Sequence, residues 1–252
     1  EFVNTSFGGI TIKQWNNGKG RDGSTGWANR NSAGGAPDYY DPNWKPHTNI
    51  LITGNYINQG ASAYACNGIY LCGVKDSVVE KNLLEHIGTC GIELFFADNV
   101  AIQYNEVFDV RHKGGGQDSN AIDPDWRATN ILIQYNYVHD CGEGLLLCGM
   151  KFNSGIIRYN LIQDCLYSYV HYSMGGGYFQ FSNNVFYRSK DGNGTSNFDP
   201  WGGGTASYVN NVFYDGKGTG FGFSGGTSFS YKNNAYYGTP ACWKDSSPIM
   251  LS

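Results

Sequence analysis

No stretch of 18 uninterrupted apolar residues occurs in this 252-residue chain. A membrane-spanning helix is therefore excluded. Charge is scarce as well: charged residues make up 15% of the chain, and the net charge is −4. Nucleic-acid partners usually meet a basic patch or stripe, so none is expected. The seven cysteines include no Cys-x-x-Cys pair of the metal-binding kind. No signal peptide is visible. The chain starts at Glu1-Phe2 and runs at once into the strand-like Gly9–Trp15 segment. Such a start reads as a processed or recombinant product, with Glu1-Phe2 as a cloning scar.

What is abundant points one way. There are 36 Gly and 19 Tyr, together with many Asn. Gly and Asn are poor helix formers, while Tyr, Val, Ile and Phe favour strands. The chain should be all-β, with many turns and a polar, aromatic surface suited to neutral or weakly charged sugars. Most cysteines read as small buried apolar residues. A Cys66–Cys90 bridge between neighbouring segments is an open alternative that sequence cannot assign. Asn-x-Ser/Thr sites at Asn4 and Asn193 are compatible with a secreted, extracellular protein.

The strongest signal is a repeat. Asn55, Asn82, Asn105, Asn136, Asn160, Asn184, Asn211 and Asn234 each open a short aliphatic or aromatic run, spaced by 27, 23, 31, 24, 24, 27 and 23 residues. Strand-like segments precede several of them, as in 49–54, 99–104 and 130–135. A second strand pattern follows a turn: Gly68–Cys72, Gly91–Phe95, Ala121–Asp125 and Gly144–Cys148. One such unit cannot bury its apolar face alone, but copies stacked in register form a continuous core. Strands of adjacent coils then pair at about 4.8 Å. An Asn at one bend of every coil tolerates a left-handed backbone. Its amide can bond those above and below, making an internal ladder.

These Asn-centred repeats resemble the right-handed parallel β-helix superfamily of pectate lyases, polygalacturonases and related carbohydrate-active proteins. The resemblance covers roughly Gly8 to Gly238. It implies a single domain over residues 1–252, with about nine coils. For the reaction it is weak, because the superfamily includes hydrolases, lyases, epimerases, esterases and tailspikes. Two insertions interrupt the spacing. Residues 17–47 carry Trp27, Tyr39, Tyr40 and Trp44, and read as a surface excursion or as an aromatic flap over a sugar groove. Residues 110–120 form the second.

Aligning the second strands on Ile69, Ile92, Ile122 and Leu145 turns those residues into the core. Tyr70, Glu93, Asp123 and Leu146 then point outward, as do Cys72, Phe95, Asp125 and Cys148. Glu93 should stack beneath Asp123, with Asp125 about 7 Å further along the strand. Glycoside hydrolysis needs two carboxylates, about 5–5.5 Å apart when configuration is retained and about 6.5–9.5 Å when it is inverted. The Glu93/Asp123 stack suits the first spacing and the Asp123/Asp125 pair the second. Glu93 is assigned as acid and Asp123 as nucleophile or base. Asp125 tunes the pair or replaces one partner. A calcium site or a solvated acidic patch is the competing reading.

Asp118 and Glu143 flank this face. Either could supply the acid, though Asp118 also suits a turn. Arg111, His112, Lys113 and Arg127 surround the region as substrate contacts or as solvated loop charges. His171 faces groove or core, with the register open by one residue. Tyr70, Phe95, Trp126 and Trp201 are sugar-stacking platforms or simple packing beneath loops.

The favoured function is a glycoside hydrolase acting on a plant cell-wall polysaccharide or oligosaccharide such as xylan or pectin, with no cofactor required. A lyase is the alternative, with Glu93, Asp123 and Asp125 holding Ca²⁺ and Lys113 or Arg127 as base. Few basic residues on that face would neutralise a uronate polymer. A non-catalytic sugar-binding module, or a fragment of a longer β-helix, is the third reading.

Overall fold

The computed structural model describes residues 1–6, 8–13, 46–113, 118–148, 153–173, 175, 177–192, 194, 197–199, 204–223 and 228–252. Its regular elements are all strands, and they pair in parallel from coil to coil. The chain winds as a parallel β-solenoid with three faces. The first carries Ile10–Lys13, Asn120–Pro124, Glu143–Cys148 and Ser168–Ser173. The second carries Leu51–Thr53, Ile131–Gln134, Ser154–Arg158, Tyr178–Ser182, Thr205–Val209 and Phe229–Lys232. Two long strands, Ile69–Glu80 and Cys90–Gln103, run through both faces and merge them into one 14-stranded sheet. The third face is a separate 10-stranded sheet that runs from Phe2–Val3 to Ile249–Met250.

The solenoid makes about seven turns, fewer than the nine expected. Eight ladder asparagines bound only seven intervals, and the terminal strands contribute partial coils.

Alternation along each strand fills the interior. On the third face, Ile57, Leu84, Val107, Val138 and Ile162 form a buried column that continues as Phe186, Phe213 and Tyr236. The second face does the same, passing from Val79, Ile102, Ile133 and Ile157 to Phe181, Tyr208 and Tyr231. Both columns change from aliphatic to aromatic between the same two coils. Beyond that level the rings stack on like neighbours: Phe181 on Tyr208 at 4.4 Å and Phe186 on Phe213 at 5.2 Å. The buried Tyr172 and Tyr208 hydroxyls satisfy each other at 2.8 Å, as buried phenols require.

The asparagine ladder is continuous. Each side-chain amide donates to the Oδ1 of the Asn one coil later: Asn55 to Asn82, Asn82 to Asn105, Asn105 to Asn136, and on to Asn234, at 2.9–3.0 Å. The backbone N–H of each donates to the same oxygen. The last rung differs. Asn234 donates to Oδ2 of Asp245 at 2.8 Å, and the Tyr236 hydroxyl donates to the same oxygen.

The expectation that these asparagines themselves adopt a left-handed backbone is corrected. The positive φ falls one residue earlier, at Lys81 (54°), Tyr104 (56°), Tyr135 (55°), Tyr159 (55°) and Asn183 (56°). The ladder Asn residues are not among the positive-φ positions, and the backbone N–H of each donates along the stack. The reversal is taken by the predecessor of each. Tyr is an uncommon choice there, and the three rings stack on one another at 5.0 and 5.1 Å.

All seven cysteines are free thiols, so no Cys66–Cys90 bridge forms; five of them are buried. Residues 17–45 of the first insertion, with Trp27, Tyr39, Tyr40 and Trp44, lie outside the described residues, as do Asn193 and Trp201. Of the second insertion, residues 114–117 lie outside them. Its ends are anchored, with Val110, Ser119 and Asn120 buried.

Candidate active site

The outward rows of the first face follow the register read from the sequence. Ile69 pairs with Ile92, Ile92 with Ile122, and Ile122 with Leu145. All four are buried. Their successors therefore turn outward together, with Tyr70 beside Glu93 and Glu93 beside Asp123. One carboxylate oxygen from each of Glu93, Asp123 and Asp125 lies within 4.8 Å of the other two.

Asp125 lies just beyond the end of the strand that carries Asp123. The strand ends at Pro124. Asp125 N still donates to Leu94 O at 2.9 Å, and a turn then closes through Ala128 N and Asp125 O at 3.2 Å. Arg127 in that turn has a φ of 57°. One carboxyl oxygen of Asp125 nevertheless lies within 4.8 Å of one of Asp123.

Each carboxyl has a different environment. Glu93 is half-buried and accepts a hydrogen bond from the Asn67 amide. Burial, then the charge of Asp125, pushes its pKa up to about 8 against the pull of Asn67. Asp125 is pushed up to about 6 by burial, opposed by the Cys148 thiol and the Trp126 N–H. That N–H donates at 2.6 Å. Asp123 is only 2% exposed. Its Oδ2 takes a thiol contact from Cys90 at 3.7 Å, and its Oδ1 has no hydrogen-bond partner. Burial, then the charges of Asp125 and Glu93, raises its pKa well above the usual range. These are the expected effects of desolvation and of like charge.

Aromatic side chains flank the trio. Trp126 stacks on Phe95 at 6.2 Å and 5°, and Tyr70 lies tilted against Phe95 at 6.5 Å. On the other side a cleft of about 300 Å³ opens over the next coils, lined among others by Asp118, Asn120, Glu143, Tyr167, His171 and Ser173. His171 lies on the groove side, because its neighbours Val170 and Tyr172 are fully buried. Its Nδ1 lies 2.7 Å from Oε1 of Glu143. Burial, then the charge of Glu143, raises the pKa of Asp118. The Cys148 thiol joins cleft and trio through Asp125.

One expected site residue is held elsewhere, and another is not solvated as expected. Lys113 donates to Gln59 O at 2.7 Å and to His86 O at 2.8 Å, and so is tethered to backbone at another corner. Arg127 is fully buried, with 0% exposure, and is no solvated loop charge. Arg111 pairs with Asp109 at 3.2 Å, and His112 is exposed.

Sequence reading missed Asn67, Cys90 and Asn120. The signal was available two residues before the aligned Ile and Leu positions. Asn120 pairs with both Cys90 and Glu143, and Glu143 with Ser168, so the row is continuous.

The family model for a right handed beta helix region matches residues 49–186, more than half of the chain. The chain belongs to that family. A search of curated proteins finds no match. In this right-handed β-helix the matched segment contains the whole trio and the Glu143–His171 pair.

Proposed function

We propose that this protein is a secreted glycoside hydrolase acting on a cell-wall type polysaccharide. The family includes many carbohydrate-active enzymes. The observation that carries the reading is the convergence of Glu93, Asp123 and Asp125 on one outer face, with environments that separate their proton affinities. Such separation is what assigns acid and base in a carboxylate pair. Glu93 keeps its proton to about pH 8 and is the general acid. Asp125 is ionised above about pH 6, with two donors holding its anion, and is the nucleophile or base. Burial and the neighbouring charges of Asp125 and Asp118 keep Glu93 protonated, and Asp123, its own pKa raised by burial, adds a third carboxyl to the cluster. Reducing-sugar release from a panel of plant polysaccharides tests the reading. Glu93→Gln and Asp125→Asn should abolish the release, and variants that retain it would refute the assignment.

One observation favours a second reading. Oδ1 of Asp123 is buried and lacks a hydrogen-bond partner beside two other carboxylates. That donor set suits a hard cation such as Ca²⁺, as in a polysaccharide lyase. A lyase also needs a base near the sugar; Lys113 is tethered to the Gln59 and His86 carbonyls, and Arg127 is fully buried. Unsaturated products that disappear with a chelator would favour this reading.

A further inference from the structure

We propose that the cleft beside the carboxylate trio takes an uncharged, hydroxyl-rich sugar segment and rejects uronates, with the Glu143–His171 pair fixing a sugar hydroxyl. The inference rests on the hydrolase reading for the reaction but not for the binding.

Among the described residues the charge on this face is mainly acidic, with the His112 charge acting on Asp118. Glu93, Asp123 and Asp125 form the trio, and Asp118 and Glu143 continue the acidic row into the cleft. Among the described residues lining the cleft, the only side chain able to carry positive charge is His171, and Glu143 holds its Nδ1 at 2.7 Å. On the far flank Lys13 lies over the Tyr70 ring, 5.3 Å from its centroid. Recognition of a carboxylate normally uses an Arg fork or a Lys. Here each uronate carboxylate would instead be brought beside acidic groups, with Asp125 ionised above about pH 6, in a partly dry site where repulsion is poorly screened.

The chemistry of the cleft suits hydroxyls. An ionised carboxylate only accepts hydrogen bonds, and a sugar hydroxyl donates one. Glu143 and Asp118 line the cleft and offer carboxyl oxygens as acceptors. Asn120, Ser173 and the Tyr167 hydroxyl add neutral partners. Tyr167 is 59% exposed, so its ring is available to a sugar face at the cleft mouth. The Glu143 contact fixes the ring plane of His171, which pre-orients the imidazole.

The test is binding, read apart from turnover. The Asp123→Asn variant would be titrated by calorimetry with neutral oligosaccharides of xylose and glucose, with oligogalacturonate and with glucosamine oligomers, both with and without Ca²⁺. Binding of a neutral chain, weakened about tenfold or more by His171→Ala and by Tyr167→Ala but not by Tyr135→Ala, is expected; tenfold corresponds to about 1.4 kcal/mol. Tyr135 serves as control because it lies at another corner of the coil. Tyr167→Ala guards against misfolding of the His171 variant, because its side chain is largely in solvent. Binding of oligogalacturonate or of glucosamine oligomers in preference to the neutral chains would overturn the proposal, as would no binding of any neutral chain. Neutral-chain binding without hydrolysis by the native protein would instead sink the hydrolase reading and leave this one standing. Hydrolysis of a uronate polymer would do the reverse.

Discussion

Glu93 and Asp123 are partners on adjacent parallel strands, and their carboxyl oxygens lie within 4.8 Å of each other and of Asp125. A pH profile follows from this contact. Asp125 must lose its proton, which happens as pH rises through about 6, and Glu93 must keep its own, which it does up to about 8. kcat/KM should therefore be bell-shaped, with its maximum between those values. Glu93→Gln should lower it by about 10²–10⁴, the usual contribution of a general acid. A profile that is flat from pH 5 to 9 would remove both assignments.

The same trio should weaken the fold at alkaline pH. All three acids have raised pKa values in the folded chain, against about 3.9–4.3 when unfolded. Their contribution is fully present below the unfolded values. It is lost as pH rises through the folded ones, about 6 for Asp125 and about 8 for Glu93. Thermal melts of the native chain should fall across that window. Asp123→Asn should melt higher than the native chain at pH 8, by at least about 2–4 °C, the shift that about 1 kcal/mol produces in a domain of this size.

The ladder should be the most sensitive polar feature of the interior. Asn160→Ala removes the acceptor of two donors on Asn136 and the donor to Asn184 and to Ile133 O. Each buried group left unsatisfied costs about 1–3 kcal/mol, so roughly 2–5 kcal/mol should be lost in urea unfolding. Gln180→Ala, at an exposed position of the second face, should stay within about 0.5 kcal/mol.

Asp245 should respond to pH in the opposite sense from the trio. Burial alone would raise its carboxyl, but donors on Ser247, Asn234 and Tyr236 outweigh it and hold the pKa below the ordinary value. Its stabilisation is thus present above the unfolded pKa and lost as pH falls through the folded one. Asp245→Ala should lower stability at pH 7 by about 1.5–3 kcal/mol, the range for bonds to a charged acceptor. It should also flatten the acid limb of the melting curve.

Some of this was legible in the residues and some was not, for physical reasons. The ladder spacing and the Ile69–Ile92–Ile122–Leu145 register could be read because each is a strict phase, and a one-residue slip would turn every core side chain to solvent. The close approach of the Asp125 and Asp123 carboxyl oxygens was not legible, because side-chain rotamers set it and spacing along the strand does not. Nor was the tether of Lys113, which reaches carbonyls 54 and 27 residues away. No local pattern marks such a contact. The left-handed position was misread by one residue because the Asn that is repeated is not the residue that turns.

The direction of the asparagine chain bears on how such a protein lengthens. Every amide hands its hydrogen bond to the coil that follows it in sequence, so no turn is finished until its successor is in place. Asp245 accepts that bond but, as a carboxylate, has no amide to pass onward. A duplicated turn could therefore be spliced in anywhere upstream of position 245 if it carried its own Asn in phase. Placed after it, the same duplication would first need that aspartate changed to asparagine.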